Sequence, residues 1–153
     1  VTANFAPYLL ERAQIYMNND QARNAMLDYD AYYKAVNGQV NDLFYYYREQ
    51  AALKARQYQR ALDDIVKAVE LSPKDLTYRA EHAVVNLRVG RYEESMKILN
   101  EILKDEPKYG EAYRLLGLCQ IQLKKTDEAC GNFNKAKELG DPNVDELIKK
   151  YCK

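Results

Sequence analysis

The stretch RQYQRA at residues 56–61 has two later counterparts, GRYEES at 90–95 and KKTDEA at 124–129, and successive copies begin 34 residues apart. A fixed period between about 20 and 50 residues is typical of proteins built from similar units that stack side by side. Each unit of such a stack buries its apolar face against its neighbours. The chain is therefore predicted to be a repeat array.

The residues that follow each copy have the spacing of a helix face. A small residue is followed after four positions by a larger one and after three more by another apolar one: Ala61, Ile65 and Ala68; Ser95, Leu99 and Ile102; Ala129, Phe133 and Ala136. Side chains three or four positions apart lie on the same side of a helix. Pro73, Pro107 and Pro142 then end each second helix, because proline cannot continue one. Each unit is therefore predicted to be a helical hairpin.

A fourth, diverged unit precedes these three, and a short helix follows them. Ala25 and Tyr29 lie 36 residues before their counterparts in the next unit. The two extra residues fit the turn at Asn37 and Gly38, where an insertion costs little. The residues after Pro142 form an amphipathic pattern that predicts a capping helix. In a single domain over 1–153, the predicted hairpins cover 8–36, 41–71, 75–105 and 109–139, and the cap covers 143–152.

The composition argues against several classes of protein. The 153 residues include 23 lysines and arginines against 23 aspartates and glutamates, so no net charge attracts the chain to nucleic acid or to an anionic membrane. No apolar run approaches the roughly 20 residues that a membrane-spanning helix needs. Alternating β-branched runs, which indicate strands, are absent from the sequence. We therefore expect an all-α chain without a nucleic-acid partner and without membrane insertion.

These features resemble the tetratricopeptide repeat family. The resemblance consists of the 34-residue period, the closing proline, a small residue early in each first helix (Ala13, Ala83 and Gly117) and an aromatic residue at the turn (Tyr58 and Tyr92). It implies a right-handed α-solenoid of about four tetratricopeptide-type hairpins plus a C-terminal capping helix. The implied repeats cover 7–40, 42–75, 76–109 and 110–143.

The sequence departs from the family pattern at four positions. Glu49 occupies the small position of its first helix, Tyr32 an alanine position, and Ala22 and Thr126 the position of the turn aromatic. A carboxylate where helices approach closely costs several kcal/mol unless it is paired or hydrogen-bonded. Glu49 is therefore expected to reach outward to solvent, to be ion-paired within the fold, or to face the groove and await a basic partner residue.

The resemblance also implies where a partner binds. First helices line the inner, concave wall of such a stack, which is expected to hold a peptide or helical segment of another protein. The predicted wall residues are Tyr46, Tyr47, Gln50, Leu53, Val84, Arg88, Arg114, Leu118 and Ile121. Relatives that grip the acidic tails of heat-shock chaperones use lysine and asparagine there. Because only Arg114 is an obvious charged match, such a clamp is not expected.

The aromatic run FYYY at residues 44–47 supplies two of these wall residues. Four consecutive helical residues spread over about 300°, so they cannot all lie in the core. Tyr45 falls on the packed side and is expected to be buried. Tyr46 and Tyr47 are left either to contact the partner or to pack half-exposed, and tyrosine is favoured at interfaces.

Two other classes of function stay open. A spacer or self-associating element would pack its outer face or its first helix, at 7–18, on another copy or on neighbouring domains of a longer chain. An exposed apolar stripe at Tyr8, Leu9 and Ile15 would favour it. A small thiol enzyme would need Cys119 and His82 within hydrogen-bonding distance. The sequence has neither metal-ligand spacing nor a glycine-rich loop beside the cysteine. We therefore expect no catalytic site, metal or cofactor, and a buried structural role for His82.

Cys130 and Cys152 lie 11 residues before and after Asp141, which is in the turn that precedes the cap. Antiparallel helices of equal rise bring such positions to the same height. Two interpretations stay open: a disulfide that locks the cap, or two reduced, buried thiols. A disulfide would indicate an oxidising compartment, periplasmic or secreted, and would leave Cys119 as a free buried thiol. Reduced thiols would indicate the cytoplasm.

Overall fold

The computed structural model describes residues 6–153, and all regular secondary structure in that range is helical. The helices are α1 (Ala6–Asn18), α2 (Ala22–Ala35), α3 (Asp42–Lys54), α4 (Tyr58–Leu71), α5 (Leu76–Arg88), α6 (Tyr92–Asp105), α7 (Gly110–Gln122), α8 (Thr126–Glu138) and α9 (Asp145–Tyr151). Each predicted hairpin or cap boundary lies within two residues of an observed one. The prediction of an all-α chain of hairpins with a C-terminal helix is confirmed.

The same backbone turn closes each hairpin. One residue of the turn has a positive φ in every case: Asp20 (56°), Arg56 (60°), Gly90 (81°) and Lys124 (60°). The next residue donates its N–H over 2.8–2.9 Å to the carbonyl five positions earlier, which satisfies an acceptor at the end of the first helix. The left-handed conformation costs a residue other than glycine about 1 to 2 kcal/mol. Three of the four positions carry a residue other than glycine, so the packing of the hairpin must offset this cost there.

The chain comprises two compact units, Val1–Lys74 and Asp75–Lys153. In the first unit each of α1, α2 and α3 packs on the helix that follows it. In the second unit α5 to α9 pack in the same sequential manner, and α5 also contacts α7. The predicted helix face is confirmed, because these members are fully buried: Ala61, Ile65, Ser95, Leu99, Ala129 and Phe133.

In the first unit an arginine and an aspartate join the two helices of each hairpin. Arg12 donates to both carboxylate oxygens of Asp28, over 2.7 and 2.6 Å. Arg48 does the same to Asp64, over 2.8 and 2.7 Å. Arg12 and Arg48 are 36 residues apart, and so are Asp28 and Asp64. The two pairs therefore occupy equivalent positions in successive repeats. Bidentate pairing fixes the plane of the guanidinium as well as its distance. The corresponding positions of the second unit carry no such pair: His82 with Ile98, and Leu116 with Asn132.

Close helix approach governs the small position of the first helices. Gly117 of α7 faces the ring of Phe133, and a Cβ at Gly117 would lie 2.4 Å from a ring carbon. Glu49 is the counterpart of Gly117 in α3, and it is fully buried. The expectation that Glu49 reaches outward to solvent is therefore wrong. The register explains the burial, since this position faces the second helix of its own hairpin.

A disulfide holds the C-terminal end. The sulfur atoms of Cys130 and Cys152 are 2.01 Å apart and their Cα atoms 5.6 Å apart, while Cys119 is a free, buried thiol. The disulfide interpretation is thus confirmed. Tyr151 stacks on Phe133 with ring centroids 6.4 Å apart. Because α9 has only seven residues, which is too short for stability alone, this packing and the bridge keep it helical.

Candidate partner-binding site

The predicted wall residues all lie on first helices, and each retains accessible surface. Helix α3 carries Tyr46, Tyr47, Gln50 and Leu53, α5 carries Val84 and Arg88, and α7 carries Arg114, Leu118 and Ile121. The three helices fall in two units: α3 belongs to the first, and α5 and α7 belong to the second.

In α3 the aromatic run divides between core and surface. Phe44 is buried, Tyr47 is 42% exposed, and the rings of Tyr46 and Tyr47 are 5.7 Å apart. Tyr45, expected to be buried, is only half-buried, because Phe44 shares the buried side of α3 with Ala51. Burial and then a hydrogen bond with Tyr33 raise the pKa of the Tyr45 phenol.

A cleft of about 650 Å³ opens in the first unit beside Tyr47. It is formed by α1, α2, the loop between α2 and α3, and α3. Its lining residues are Leu10, Gln14, Tyr29, Tyr32, Gln39, Val40, Asn41, Leu43, Phe44 and Tyr47. Such a volume lies in the range of about 300 to 1,000 Å³ that is usual for binding pockets.

The floor of this cleft is aromatic. Tyr29 and Phe44 are buried and meet edge to face with ring centroids 5.8 Å apart. Tyr32 stacks on Phe44 at 5.5 Å. Burial, reinforced by repulsion from Tyr47, raises the pKa of Tyr29 to about 12. The Tyr29 phenol therefore stays neutral at physiological pH.

In the second unit, the wall residues of α5 and α7 differ in their surroundings. Val84 and Leu118 pack half-buried against a core cluster of that unit. Arg88 is exposed. Arg114, in contrast, is bound within the protein: it contacts Asp141 and Glu111, each over 3.0 Å, and its side chain is only 15% exposed. Its charge is thus largely neutralised by its own unit.

Cys119 and His82 do not have the electrostatics of a nucleophilic pair. Burial raises the pKa of Cys119, whose sulfur lies 3.4 Å from the hydroxyl oxygen of Ser95. A raised pKa leaves little thiolate, and the thiolate is the nucleophile. Burial lowers the pKa of the half-buried His82. Within residues 6–153, no cluster of side chains suited to a metal ion and no helix suited to span a membrane is found.

Two family models match the sequence of these hairpins. One, described as "Anaphase-promoting complex, cyclosome, subunit 3", matches residues 18–102, and the other, described as "Tetratricopeptide repeat", matches residues 81–144. The chain belongs to the tetratricopeptide repeat family.

Two fungal proteins are among its relatives. Small glutamine-rich tetratricopeptide repeat-containing protein 2 of Mycosarcoma maydis is 29% identical over 99 residues, which cover 65% of this chain and 28% of that protein. Heat shock protein STI1 of Saccharomyces cerevisiae is 31% identical over 101 residues, which cover 63% of this chain and 17% of that protein. The chain thus spans less than a third of the length of these relatives.

Solved structures share the tetratricopeptide fold. YrrB, described as a TPR protein with an unusual peptide-binding site, superposes with a TM-score of 0.79 at 19% identity, covering 95% of this chain and 74% of its own. A crystal structure of MamA gives a TM-score of 0.74 at 21% identity, covering 98% and 78% respectively. Identities this low establish the fold alone.

Most of the residues that line the cleft of this tetratricopeptide chain were not among the predicted binding residues. Of the predicted wall residues, only Tyr47 lines it. Most of the lining comes from α1, α2 and the loop at 39–41, which lie outside the predicted peptide-binding wall. One signal was present in the sequence: the two-residue insertion near Gly38, which lengthens the loop that supplies Val40. Gly38 has a φ of 72°, which glycine adopts readily.

Proposed function

We propose that this tetratricopeptide chain is a protein-interaction module that binds a peptide or helical segment of a partner protein along its first helices. The partial exposure of aromatic and aliphatic side chains on these helices supports the proposal, with Tyr47 at 42% as the clearest case. Exposed aromatic side chains with a polar tip are frequent energetic centres of interfaces. The peptide-binding site in the description of YrrB adds support by analogy.

The charges favour an apolar contact over an acidic tail. Arg114 is the one predicted wall residue that resembles a carboxylate clamp, and it is engaged by Asp141 and Glu111. A ligand carboxylate would have to compete with these two for the guanidinium. We therefore propose that aromatic and aliphatic contacts dominate the affinity.

Peptides selected from a random display library against the whole chain provide the test. The variant that combines Val84→Glu with Leu118→Glu places charges on α5 and α7, whereas Leu27→Glu places one on a second helix at a site that is 68% exposed. The double variant should weaken peptide binding about tenfold or more, and the control should not. A library without any binder, or equal affinity for both variants, would reject the proposed wall.

Self-association is a second candidate, because one observation favours it. Tyr8 and Ile15 lie seven positions apart on α1 and are 55% and 56% exposed, although Leu9, expected in the same stripe, is buried. Sedimentation velocity of the natural chain and of Ile15→Glu decides between the two functions. A concentration-dependent dimer that the substitution abolishes supports self-association, and a monomer in both samples excludes it.

A further inference from the structure

We infer that the cleft of the first unit receives one bulky, uncharged apolar side chain of a partner peptide, aromatic or branched aliphatic, while amide groups at the rim hold the adjacent peptide backbone. This inference rests on the proposed function, and it names the chemistry of the partner. It differs from the predicted wall, because most of the cleft lies outside the predicted residues.

The walls fit an apolar side chain. Leu10, Val40 and Leu43 supply aliphatic surface, and Tyr29 and Phe44 supply aromatic surface. Because Tyr29 and Phe44 are buried and in mutual contact, the floor is already formed before a ligand arrives. A preformed pocket spares the partner the cost of ordering the protein.

The absence of charge selects against ionic partners. Among residues 6–153, the lining contains no lysine, arginine, histidine, aspartate or glutamate. A charged side chain that entered would lose hydration without gaining a counter-ion, which is expensive in an apolar site. Tyr29 cannot offset this cost, since a phenol is uncharged at physiological pH. An acidic tail and a basic peptide are thus both disfavoured here.

The mouth of the cleft exposes apolar surface that a partner would cover. Leu43 and Tyr47 are 44% and 42% exposed. They lie four positions apart on α3, so their side chains are neighbours on one face of the helix. Within residues 6–153, all the large hydrophobic side chains that are exposed belong to the first unit. Two of them, Leu43 and Tyr47, lie together at the mouth of the cleft.

The rim can recognise a peptide backbone. Gln14, Gln39 and Asn41 line the cleft and are exposed. A side-chain amide offers both donors and an acceptor, as a peptide bond does. The side-chain oxygen of Asn41 already accepts the N–H of Phe44 over 3.0 Å, and this hydrogen bond caps α3. The cap uses the oxygen of the Asn41 amide and not its nitrogen. Neutral amides of this kind can orient a bound peptide without adding charge to the cleft.

Side-chain analogues test the cleft without a known partner. The chain labelled at leucine and valine methyl groups is titrated with 4-methylphenol and 3-methylindole, and separately with propionate and butylammonium. The uncharged aromatics should shift the methyl resonances of Leu10, Val40 and Leu43 saturably and leave that of Leu71 unchanged. Absence of these shifts, or shifts of equal size with the charged analogues, would overturn the inference.

Matched variants connect the cleft to the proposed function. Leu43→Glu charges the mouth, and Leu71→Glu charges a leucine that is 55% exposed and outside the lining. Selected peptides should bind Leu43→Glu about tenfold or more weakly than Leu71→Glu. Leu43→Ala, which adds no charge, should give an intermediate loss, and thermal melts of all three report their folding.

The two proposals fail in different ways. If peptides are selected and bind all Leu43 variants equally, the cleft inference is wrong while the proposed function stands. If no peptide is selected, the proposed function fails, and the analogue titration still decides whether the cleft accepts uncharged side chains.

Discussion

Arg48 shows how a single side chain can organise the first unit. Its guanidinium carbon lies 4.9 Å from the ring centroid of Tyr33 and 5.1 Å from that of Phe44, while its nitrogens bind Asp64. Stacking uses the face of the planar guanidinium and bidentate pairing uses its edge, a combination that lysine cannot reproduce. Arg48 thus links the aromatic cluster to α4.

Loss of the buried carboxylate should therefore be costly. The Arg48 side chain is 13% exposed, whereas Arg12, in the equivalent pair, is 39% exposed. Asp64→Asn leaves the Arg48 guanidinium in a poorly hydrated site with only Asp30, 3.5 Å away, as a counter-ion, and should lower the free energy of unfolding by about 2 to 4 kcal/mol. Asp28→Asn leaves Arg12 in contact with water and should cost clearly less. Urea unfolding of both variants measures the difference, and equal costs would contradict this account.

His82 should make stability depend on pH. In the unfolded chain it binds a proton near its ordinary pKa of about 6.5. Burial lowers the pKa in the folded chain, so between the two values the unfolded state binds more protons. Stability conferred by neutral His82 is thus lost as the pH falls below about 6.5.

The variant His82→Gln isolates this effect from the titration of the carboxylates. From about pH 7 to about pH 5, the free energy of unfolding should fall more in the natural chain than in His82→Gln. Urea unfolding at both pH values provides the measurement. A parallel decrease in the two proteins would show that His82 titrates alike in both states.

At the scale of the helix, two glycines provide a matched comparison. Gly117 of α7 has Phe133 against it, whereas a Cβ at Gly131 of α8 would have no neighbour within 4 Å. Gly131→Ala should stabilise the chain by up to about 1 kcal/mol, since alanine is the better helix former. Gly117→Ala should destabilise it by about 1 to 3 kcal/mol through overpacking. Thermal melting measures both, and shifts of the same sign would refute the assigned register.

Helix α9 depends on its covalent closure. A bridge across a 22-residue separation restricts the unfolded chain, so Cys152→Ser should lower the free energy of unfolding by about 3 kcal/mol. Hydrogen exchange should show that 145–151 loses protection first. Titration of the denatured, unreduced natural protein should yield one thiol, from Cys119. Three thiols would show that the bridge is absent.

The helices could be predicted because their signals are periodic. The spacing of Ala61, Ser95 and Ala129 repeats the same buried position, and a proline ends each second helix. The left-handed turn was not foreseen, because its position carries glycine only at Gly90 and aspartate, arginine or lysine elsewhere. The bidentate pairs were not predicted, although Arg12 and Arg48, like Asp28 and Asp64, are 36 residues apart in the sequence.

At the scale of the whole molecule, the number of domains remains a prediction. The repeat spacing runs unbroken from Ala61 to Ser95, which favours one domain, and repeat arrays gain stability from the interfaces between neighbours. We expect one cooperative transition in urea, in which circular dichroism and the hydrogen exchange of both compact units coincide. Two separate transitions, one for each unit, would mean that two domains fold independently.

The candidate site was less predictable than the fold, for a physical reason. Wall positions follow from the register of one helix, and Tyr47 was found in this way. A cleft requires side chains from several segments to converge, and residues such as Leu10 and Val40 are far apart in the sequence. Their convergence depends on the length of the α2–α3 loop and on the angles between helices, which periodicity does not determine.

The disulfide also alters how the chain would carry tension. A stretching force applied to the two ends of the chain is transmitted through the bond between Cys130 and Cys152 and not through the 22 peptide units between them. Each extended residue contributes about 3.5 Å, so roughly 75 Å of contour length is withheld. The residues between the two cysteines, which include most of α8, the last turn and α9, thus bear no load until a reductant cleaves the bond.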